Sequence, residues 1–500
     1  MIHGLIRGAT ARRYNRIQRY ETKARTVQRE QLQMLLRAGR RTRFGRERSF
    51  AGINSYEEFR RRVEVADYPR MEEYVERARR GEEDVLWPGR VGWFAKSSGT
   101  TGRRSKYIPV TAEGLKHNHM RGMRDVAVMA TRIFPEAGFF EGRMLTLGGS
   151  HAIEREGDCA EVGDLSAILI EHTPRVARMF RRPSRGVALT ADFDQKVEAV
   201  CRECAEENIT ALAGVPSWNL VMLNRLLEYT GRRNVSEVWP KLELFVHGGV
   251  DFRPYREVFR QIIPSRRMKY METYNASEGF FAMADRAEAD DMLLMLDYGT
   301  FYEFLPTEHL ERTERCVPLE EVKCGVEYAM VISNCNGLWR YMIGDTVEFT
   351  SIAPYRIRIT GRTQCYINAF GEELVVDNAE RAVMAACRLT GSEVVEYTAA
   401  PIYMEYDTAR GAHQWLVEFR VEPEYLERWC AVLDEELKRC NSDYEAKRRG
   451  DVTLLAPRVT PLPRGTFLRM MALEGRLGGQ NKVPRLRNDR ELVDKLLSLK

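Results

Sequence analysis

The 500-residue chain has no apolar run near the roughly 20 residues a membrane helix needs. Its N-terminus lacks the continuous apolar stretch of a secretory signal. Cysteine is sparse and unpaired in pattern: ten residues are scattered singly, apart from Cys201 and Cys204. That excludes a disulfide framework and leads us to expect a reducing, cytoplasmic setting. The lone Cys201–Cys204 pair has no second cysteine pair or nearby histidine to complete a site, so CRECAEEN reads as plain helix. The eight histidines, among them His117, His119, His151 and His247, lack ligand spacing. Net charge is also small, 77 Lys and Arg against 72 Asp and Glu. With no basic repeat interleaved with aromatics, nucleic acid is not an expected partner.

What is present is a globular composition, 44% apolar and 30% charged, at a length that favours two domains. The first 30 residues are rich in arginine, including Arg7, Arg12, Arg13 and Arg16. Glu21 and Glu30 interrupt that run, so it reads as the solvated face of an amphipathic helix over Ile17, Val27, Leu32 and Leu35, rather than a transit peptide. Residues 11–38 and 55–80 read as helices. After them, apolar runs that stop at a turn recur: MLTLGGS, ITALAGVP and LELFVHGG. Helical stretches at 193–207 and 217–230 lie between them. This alternation predicts an α/β domain with parallel strands and a ligand site at their carboxyl ends. From residue 292 the chain turns strand-rich, as in antiparallel hairpins. The part beyond about 365 alternates helices at 376–389 and 423–440 with strands at 394–404 and 414–421. The expected fold class is therefore α/β: a large N-terminal domain with mixed sheets, residues 1–362, and a smaller, mobile α+β domain, residues 363–500.

Five strings carry chemistry. The first, SSGTTGRRSK, combines glycines with the hydroxyls of Ser97, Ser98, Thr100 and Thr101 and the charge of Lys106. Its backbone, with Gly99 and Gly102, can approach an anion closely, which suits phosphates. It is no Walker A loop, because no Gly-Lys-Ser/Thr closes it. The second, TYNASEG, holds Tyr274, Asn275, Ala276, Ser277 and Glu278. It offers a ring for a base, a hydroxyl for a phosphate and a carboxylate for Mg²⁺. On local grounds alone the same string reads as an ordinary helix N-terminus. The third, YMIGDTVEF, puts Asp345 at a strand entrance, as a simple turn or as an acceptor for ribose hydroxyls. The fourth, ITGRTQCYINAFGEEL, places Arg362 just before the second domain. The last, GGQNKVPR, puts Lys482 in a glycine-rich loop.

In this order the five strings resemble the acyl-adenylate-forming superfamily of acyl-CoA synthetases, peptide-synthetase adenylation domains and luciferases. The strings VPSWNLVML, HGGVDFRPY, YNASEGFFA, INAFGEELVVDNAE and NKVPR look like the auxin-inducible acyl acid amido synthetases, the Gretchen Hagen 3 family, and their bacterial relatives. The resemblance runs from about residue 40 to the end. It implies an AMP-forming acid–amino acid ligase that uses ATP and Mg²⁺, with a carboxylic acid and an amino acid as substrates. It implies that Ser97, Ser98, Gly99, Thr100, Thr101 and Lys106 hold the β- and γ-phosphates. Tyr274 would lie against adenine and Ser277 against the α-phosphate, with Asn275 and Ala276 also in the nucleotide site. Glu278 would hold the metal, Asp345 the ribose with Arg362 nearby, and Lys482 would stabilise the charge of the transition state. Thr363-Gln364 stands where acyl-CoA synthetases carry an acidic hinge residue. Acyl-pocket candidates are Met120, Met123, Trp218, Phe245 and Phe280, each also readable as core. Arg121 or Arg124 would meet the acid's carboxylate or form a surface salt bridge, and His247 is expected near the nucleotide. The alternatives are an acyl-CoA ligase with a thiol acceptor and a catalytically silent nucleotide-binding relative. A monomer is expected.

Overall fold

The apolar runs that stop at glycine form the parallel half of a twelve-stranded sheet. In the computed structural model, which describes residues 2–98, 105–148, 153–156, 160–190, 192–363, 366–404, 410–451, 453–473 and 483–499, the strands Arg181–Arg182, Arg143–Thr146, Ile209–Gly214, Leu244–His247 and Lys269–Ala276 lie side by side in that order. All pairs among them are parallel. Helices Phe193–Cys204, Pro216–Thr230 and Arg256–Ile262 provide the crossovers. Leu244–His247 is buried throughout, as parallel strands covered on both faces are. At its end Gly248 allows a close approach, because a Cβ there would fall 2.3 Å from the Thr273 carbonyl oxygen. Gly249 follows with φ +85°, a region that favours glycine.

Lys269–Ala276 is the turning point of the sheet. It pairs parallel with Leu244–His247 on one side and antiparallel with Gly279–Met283 on the other. Met292–Leu294, Tyr355–Arg362, Tyr341–Ile352, Glu327–Asn334, Thr300–Pro306 and Val317–Pro318 continue the sheet. TYNASEG is therefore the end of a strand and its turn, and not a helix N-terminus. Ladder hydrogen bonds on both edges, with Phe280 and Phe281 in the core, outweigh the local capping preference of Ser and Glu. A separate four-stranded sheet pairs Trp93–Ser98 with Ser105–Val110 and Ala160–Gly163.

The C-terminal domain has its own sheet, Glu393–Ile402, Ala412–Val421 and Arg458–Leu462, covered by helices Val376–Thr390 and Leu426–Cys440. The chain is thus a mixed α/β protein with a large N-terminal and a smaller C-terminal domain. The loop after Ile367 joins them. Ser217 Oγ donates to the Phe370 carbonyl at 3.1 Å, Tyr255 Oη to the Ala369 carbonyl at 2.5 Å, and Asn368 Nδ2 to the Gly249 carbonyl at 3.0 Å. No helix of the described residues is long and apolar enough to cross a membrane.

The arginine-rich start forms helices Ala11–Gln18 and Tyr20–Gly39, with Ile17, Leu32 and Leu35 buried and Val27 packed beside them. Arg13 departs from the solvated face expected of it. Its guanidinium pairs with Asp125 at 2.7 Å and Asp297 at 2.5 Å, which ties the first helices to the sheet. A second buried pair locks Arg340 to Glu303 at 2.8 Å, with Arg340 Nη1 also donating to the Val63 carbonyl at 2.7 Å. Removing one partner leaves an uncompensated buried charge. Glu303→Ala is expected to lower the unfolding free energy by about 3–5 kcal/mol, read from urea unfolding. A loss below about 1 kcal/mol, the value of an exposed pair, would contradict this.

Candidate active site

A cavity of about 1960 Å³ runs along the carboxyl ends of the parallel strands. It is lined by Ser97 and Lys106, by His247 and Gly249, by Tyr274 to Glu278, and by Asp345 and Arg362. The segment that joins the two domains adds Tyr366 and Glu373. Ser97 and Lys106 face each other across the paired strands Trp93–Ser98 and Ser105–Val110. That register draws together the two ends of the glycine-rich string. Gly99, Thr100, Thr101, Arg103, Arg104, His151, Gln364 and Lys482 lie outside the described residues, as does the Ser98 side chain.

One group of side chains forms a polar chain across the sheet. Tyr274 Oη donates to Asp345 Oδ2 at 2.5 Å, and Arg362 Nε meets Asp345 Oδ1 at 3.1 Å. The antiparallel register directly opposes Asp345 and Arg362. Arg362 Nη1 continues to Glu373 Oε2 at 3.4 Å. Burial raises the Asp345 pKa, against the pull of Arg362 and Tyr274. Burial opposes the charge on Arg362, yet Asp345 and then Glu373 outweigh it and raise its pKa. The result is a fixed carboxylate with a phenol on one oxygen and a guanidinium on the other. Its remaining lone pairs can accept from vicinal hydroxyls. Asp345 lies within Tyr341–Ile352, and Gly344 before it has φ +94°.

A second group sits at the turn between the two hairpin strands. Glu278 is buried at the cavity wall, and its backbone carbonyl accepts from Asn334 Nδ2 at 2.8 Å and Asn336 Nδ2 at 3.3 Å. Burial pushes the Glu278 carboxyl up to about 7, with Lys106 pulling it back and Asp345 adding to the rise. Burial lowers the pKa of Lys106, opposed by Glu278. A cation arriving here would gain a carboxylate released from desolvation. Among the described residues, no group of three or more His, Cys, Asp or Glu side chains is arranged to hold a metal. A single carboxylate completed by phosphate oxygens is the donor set Mg²⁺ commonly takes, so Glu278 fits that ion. Asn275 Oδ1 contacts His119 Nδ1 at 3.3 Å. Burial drives His119 down to about 4 and His247 to about 3, so both are neutral and neither is a general acid at pH 7.

Other expectations fall elsewhere. Trp218, Phe245 and Phe280 are core, Met123 is exposed, and none of them, nor Met120, lines this cavity. Arg121 is committed to Asp297 at 2.9 Å, and Arg124 approaches Asp125 at 3.8 Å. Cys201 and Cys204 are buried, and desolvation pushes their thiols up to about 11 and about 12, far from redox reactivity. Two cavity carboxylates were missed. Glu373 has φ +40°, just after Gly371 at φ +88°, and the acidic pair after glycine in AFGEEL was its only signal. Glu272 lies two residues before Tyr274 on the same strand. Burial, and then Asp251, raises it to about 7. Nothing in the local string distinguishes it.

The raised Glu278 pKa has a sign. An acid whose pKa climbs from 4.5 to about 7 on folding adds stability below pH 4.5, and that stability is lost as pH rises through 7. Glu278→Gln removes this loss. Relative to the parent chain, the variant is expected to gain up to about 3 kcal/mol of stability between pH 4.5 and pH 8, read from urea unfolding at both pH values. A pH-independent difference would contradict a neutralised carboxyl at this turn.

The sequence profile of the GH3 family N-terminal domain matches residues 13–268, that of the central domain residues 293–362, and that of the C-terminal domain residues 377–491. The chain is 26% identical over 282 residues to the indole-3-acetic acid-amido synthetase GH3.4 of Arabidopsis thaliana, covering 50% of this chain and 45% of that enzyme. It therefore spans about half the length of that relative. It is 21% identical over 539 residues to the Jasmonoyl--L-amino acid synthetase JAR4 of Nicotiana attenuata, covering 92% and 90% of the two chains. Among solved structures, the AtGH3.15 acyl acid amido synthetase in complex with 2,4-DB has the same fold, with a TM-score of 0.60 at 17% identity over 97% of this chain and 95% of that one. The three profiles together span most of the chain, which belongs to the GH3 family.

Proposed function

We propose that this protein activates a carboxylic acid with ATP and passes the acyl group to the amine of an amino acid. The observation that carries the reading is the Tyr274–Asp345–Arg362 chain, lining the same cavity as the Ser97–Lys106 pair. It supports a ribose held by Asp345 and phosphates reaching toward Lys106. Tyr274, Asn275 and Ala276 would border the adenine, and Ser277 the α-phosphate. The glycine-rich loop, Ser97 to Thr101, would close over the β- and γ-phosphates.

In the first half-reaction a carboxylate oxygen attacks the α-phosphorus, the α–β anhydride bond breaks, and pyrophosphate leaves. In the second, the free amine attacks the acyl carbon, the bond to the AMP oxygen breaks, and the ammonium proton is lost to solvent or base. Mg²⁺ held by Glu278 would supply charge neutralisation between the phosphates. Arg362 opposes the burial-driven rise of the Asp345 pKa and aims its carboxylate. Lys106, desolvated beside Glu278, regains a favourable anion when phosphate enters. Positioning and fixed charge of this kind are the main sources of rate in phosphoryl transfer. The domain division at residue 362 belongs to this reading: residues 1–362 bind ATP and acid, and residues 363–500 bring Lys482 to the transition state and help exclude water. A cytoplasmic location also belongs here, on the strength of unpaired thiols among the described cysteines.

The test is pyrophosphate release from Mg-ATP across aryl, alkyl and short-chain acids, with and without mixed amino acids. Release that depends on acid, together with an acyl amide product, is expected. Acid-dependent release that yields thioester only when CoA is present would overturn the amide reading. Asp345→Asn is expected to weaken ATP binding by about 10–100-fold, the size of hydrogen bonds to a charged group. Lys482→Ala is expected to slow adenylation by about 10²–10³ with far less change in ATP affinity. Equal losses in rate and affinity would count against a transition-state role for Lys482.

A further inference from the structure

Lys447 is a buried cation that the proposed function leaves without a role. It lies on the helix Ser442–Arg448 with 8% of its surface exposed. Its neighbour Arg448 is fully engaged, with Nε 2.8 Å from Asp434 Oδ1 and Nη1 2.8 Å from the Leu454 carbonyl. The Lys447 ammonium instead sits 3.9 Å from the ring centre of Trp218, with no hydrogen bond or ion pair among the described residues. Burial lowers its pKa, and Asp443 and Asp164, followed by Glu372 and Glu373, act against that from beyond pairing distance. A buried ammonium with an aromatic face in contact and carboxylates only at longer range is costly, because these offset only part of its lost hydration. Such a group is made whole by an anion that arrives from outside.

The surroundings say which anion. Gly371 faces the ammonium at φ +88°, and a Cβ there would lie 3.5 Å from Nζ, so glycine keeps that side open. The same loop carries Glu373, which meets Arg362 in the cavity. The Lys447 helix also packs on Trp93–Ser98, whose Ser97 lines the cavity. Lys447 thus stands just behind the active-site wall, where both domains meet. Three of the cavity's own cations are paired: Arg362 with Asp345, Arg253 with Asp251 at 2.7 Å, and Arg286 with Asp291 at 2.6 Å. An amino acid acceptor brings its amine to the acyl carbon with a carboxylate attached one carbon away. That carboxylate needs a cation the nucleotide does not use.

We propose that Lys447 binds the carboxylate of the acceptor amino acid in the second half-reaction, with Trp218 and Gly371 shaping its seat. This rests on the amido-synthetase reading above. The experiment compares alanine, leucine, aspartate and glutamate, each beside its α-carboxamide, as acceptors for the parent chain and for Lys447→Met, Lys447→Gln and Lys447→Arg. The readout is the ratio of kcat/KM for each amino acid to that for its amide. This ratio is independent of the fraction of folded enzyme. It is expected to fall by about 10–100-fold in the Met and Gln variants, the size of a hydrogen bond to a charged group, and to be largely kept in Arg. An unchanged ratio in the Met and Gln variants overturns the Lys447 assignment alone. Acid-dependent pyrophosphate release with no amide from any acceptor overturns the amido-synthetase reading, and the assignment with it.

Discussion

The site is organised around one half-buried carboxylate, that of Asp345. Asp345 is desolvated, and a desolvated charge persists only where hydrogen bonds and an opposite charge compensate it. Tyr274 compensates one oxygen and Arg362 the other. Those three residues come from three strands, so holding the carboxylate requires the sheet to turn from parallel to antiparallel at Lys269–Ala276. Arg362, pinned by Asp345, then reaches Glu373, and through that contact the loop that joins the domains is tied to the cavity wall. Glu372 fixes the same loop from inside. Its carboxylate accepts the backbone N–H groups of Ala369 and Phe370 at 3.2 and 2.7 Å and pairs with His413 Nε2 at 2.8 Å.

A common electrostatic theme runs through the cavity. Glu278, Glu272 and Lys106 are all held away from their ordinary ionisation by burial. In each, burial works against the charged form, and a charged partner entering the cavity would work for it. On the proposed function, a site built this way would discriminate by charge: phosphate beside Lys106, a divalent cation at Glu278, and a carboxylate at Lys447. Stability surrendered in the empty protein would be recovered on binding. Perturbed ionisation at functional positions follows from that exchange.

The arginine-rich start shows the limit of composition as evidence. Read as a string, Arg13 is one of many solvated charges. Folded, it is held by Asp125 and Asp297, residues more than 100 positions away. Charge pattern along a helix predicts which face is wet, yet a partner distant in sequence can bury one member of that face. The acyl-pocket candidates fail for the same reason. Trp218, Phe245 and Phe280 are large and apolar, which suits a pocket wall and a core equally, and three-dimensional neighbours assign them to the core.

The sequence by itself determined the α/β class, the parallel strands ending in glycine, the helices between them and the order of the five chemical strings. These are local properties: period, turn residues and spacing are written in neighbouring positions. The aggregate of the strings also carried the family, because several uncommon strings in one order outweigh the ambiguity of each. The tertiary structure alone decided that TYNASEG ends a strand, since its flanks pair with strands on both sides that no local preference reveals. It alone brought Tyr274, Asp345, Arg362 and Glu373 into one chain, aligned Ser97 with Lys106, and left Lys447 buried against Trp218. Those contacts join positions from 9 to 229 residues apart. Their energies depend on burial, a property of the packed whole that no short segment possesses.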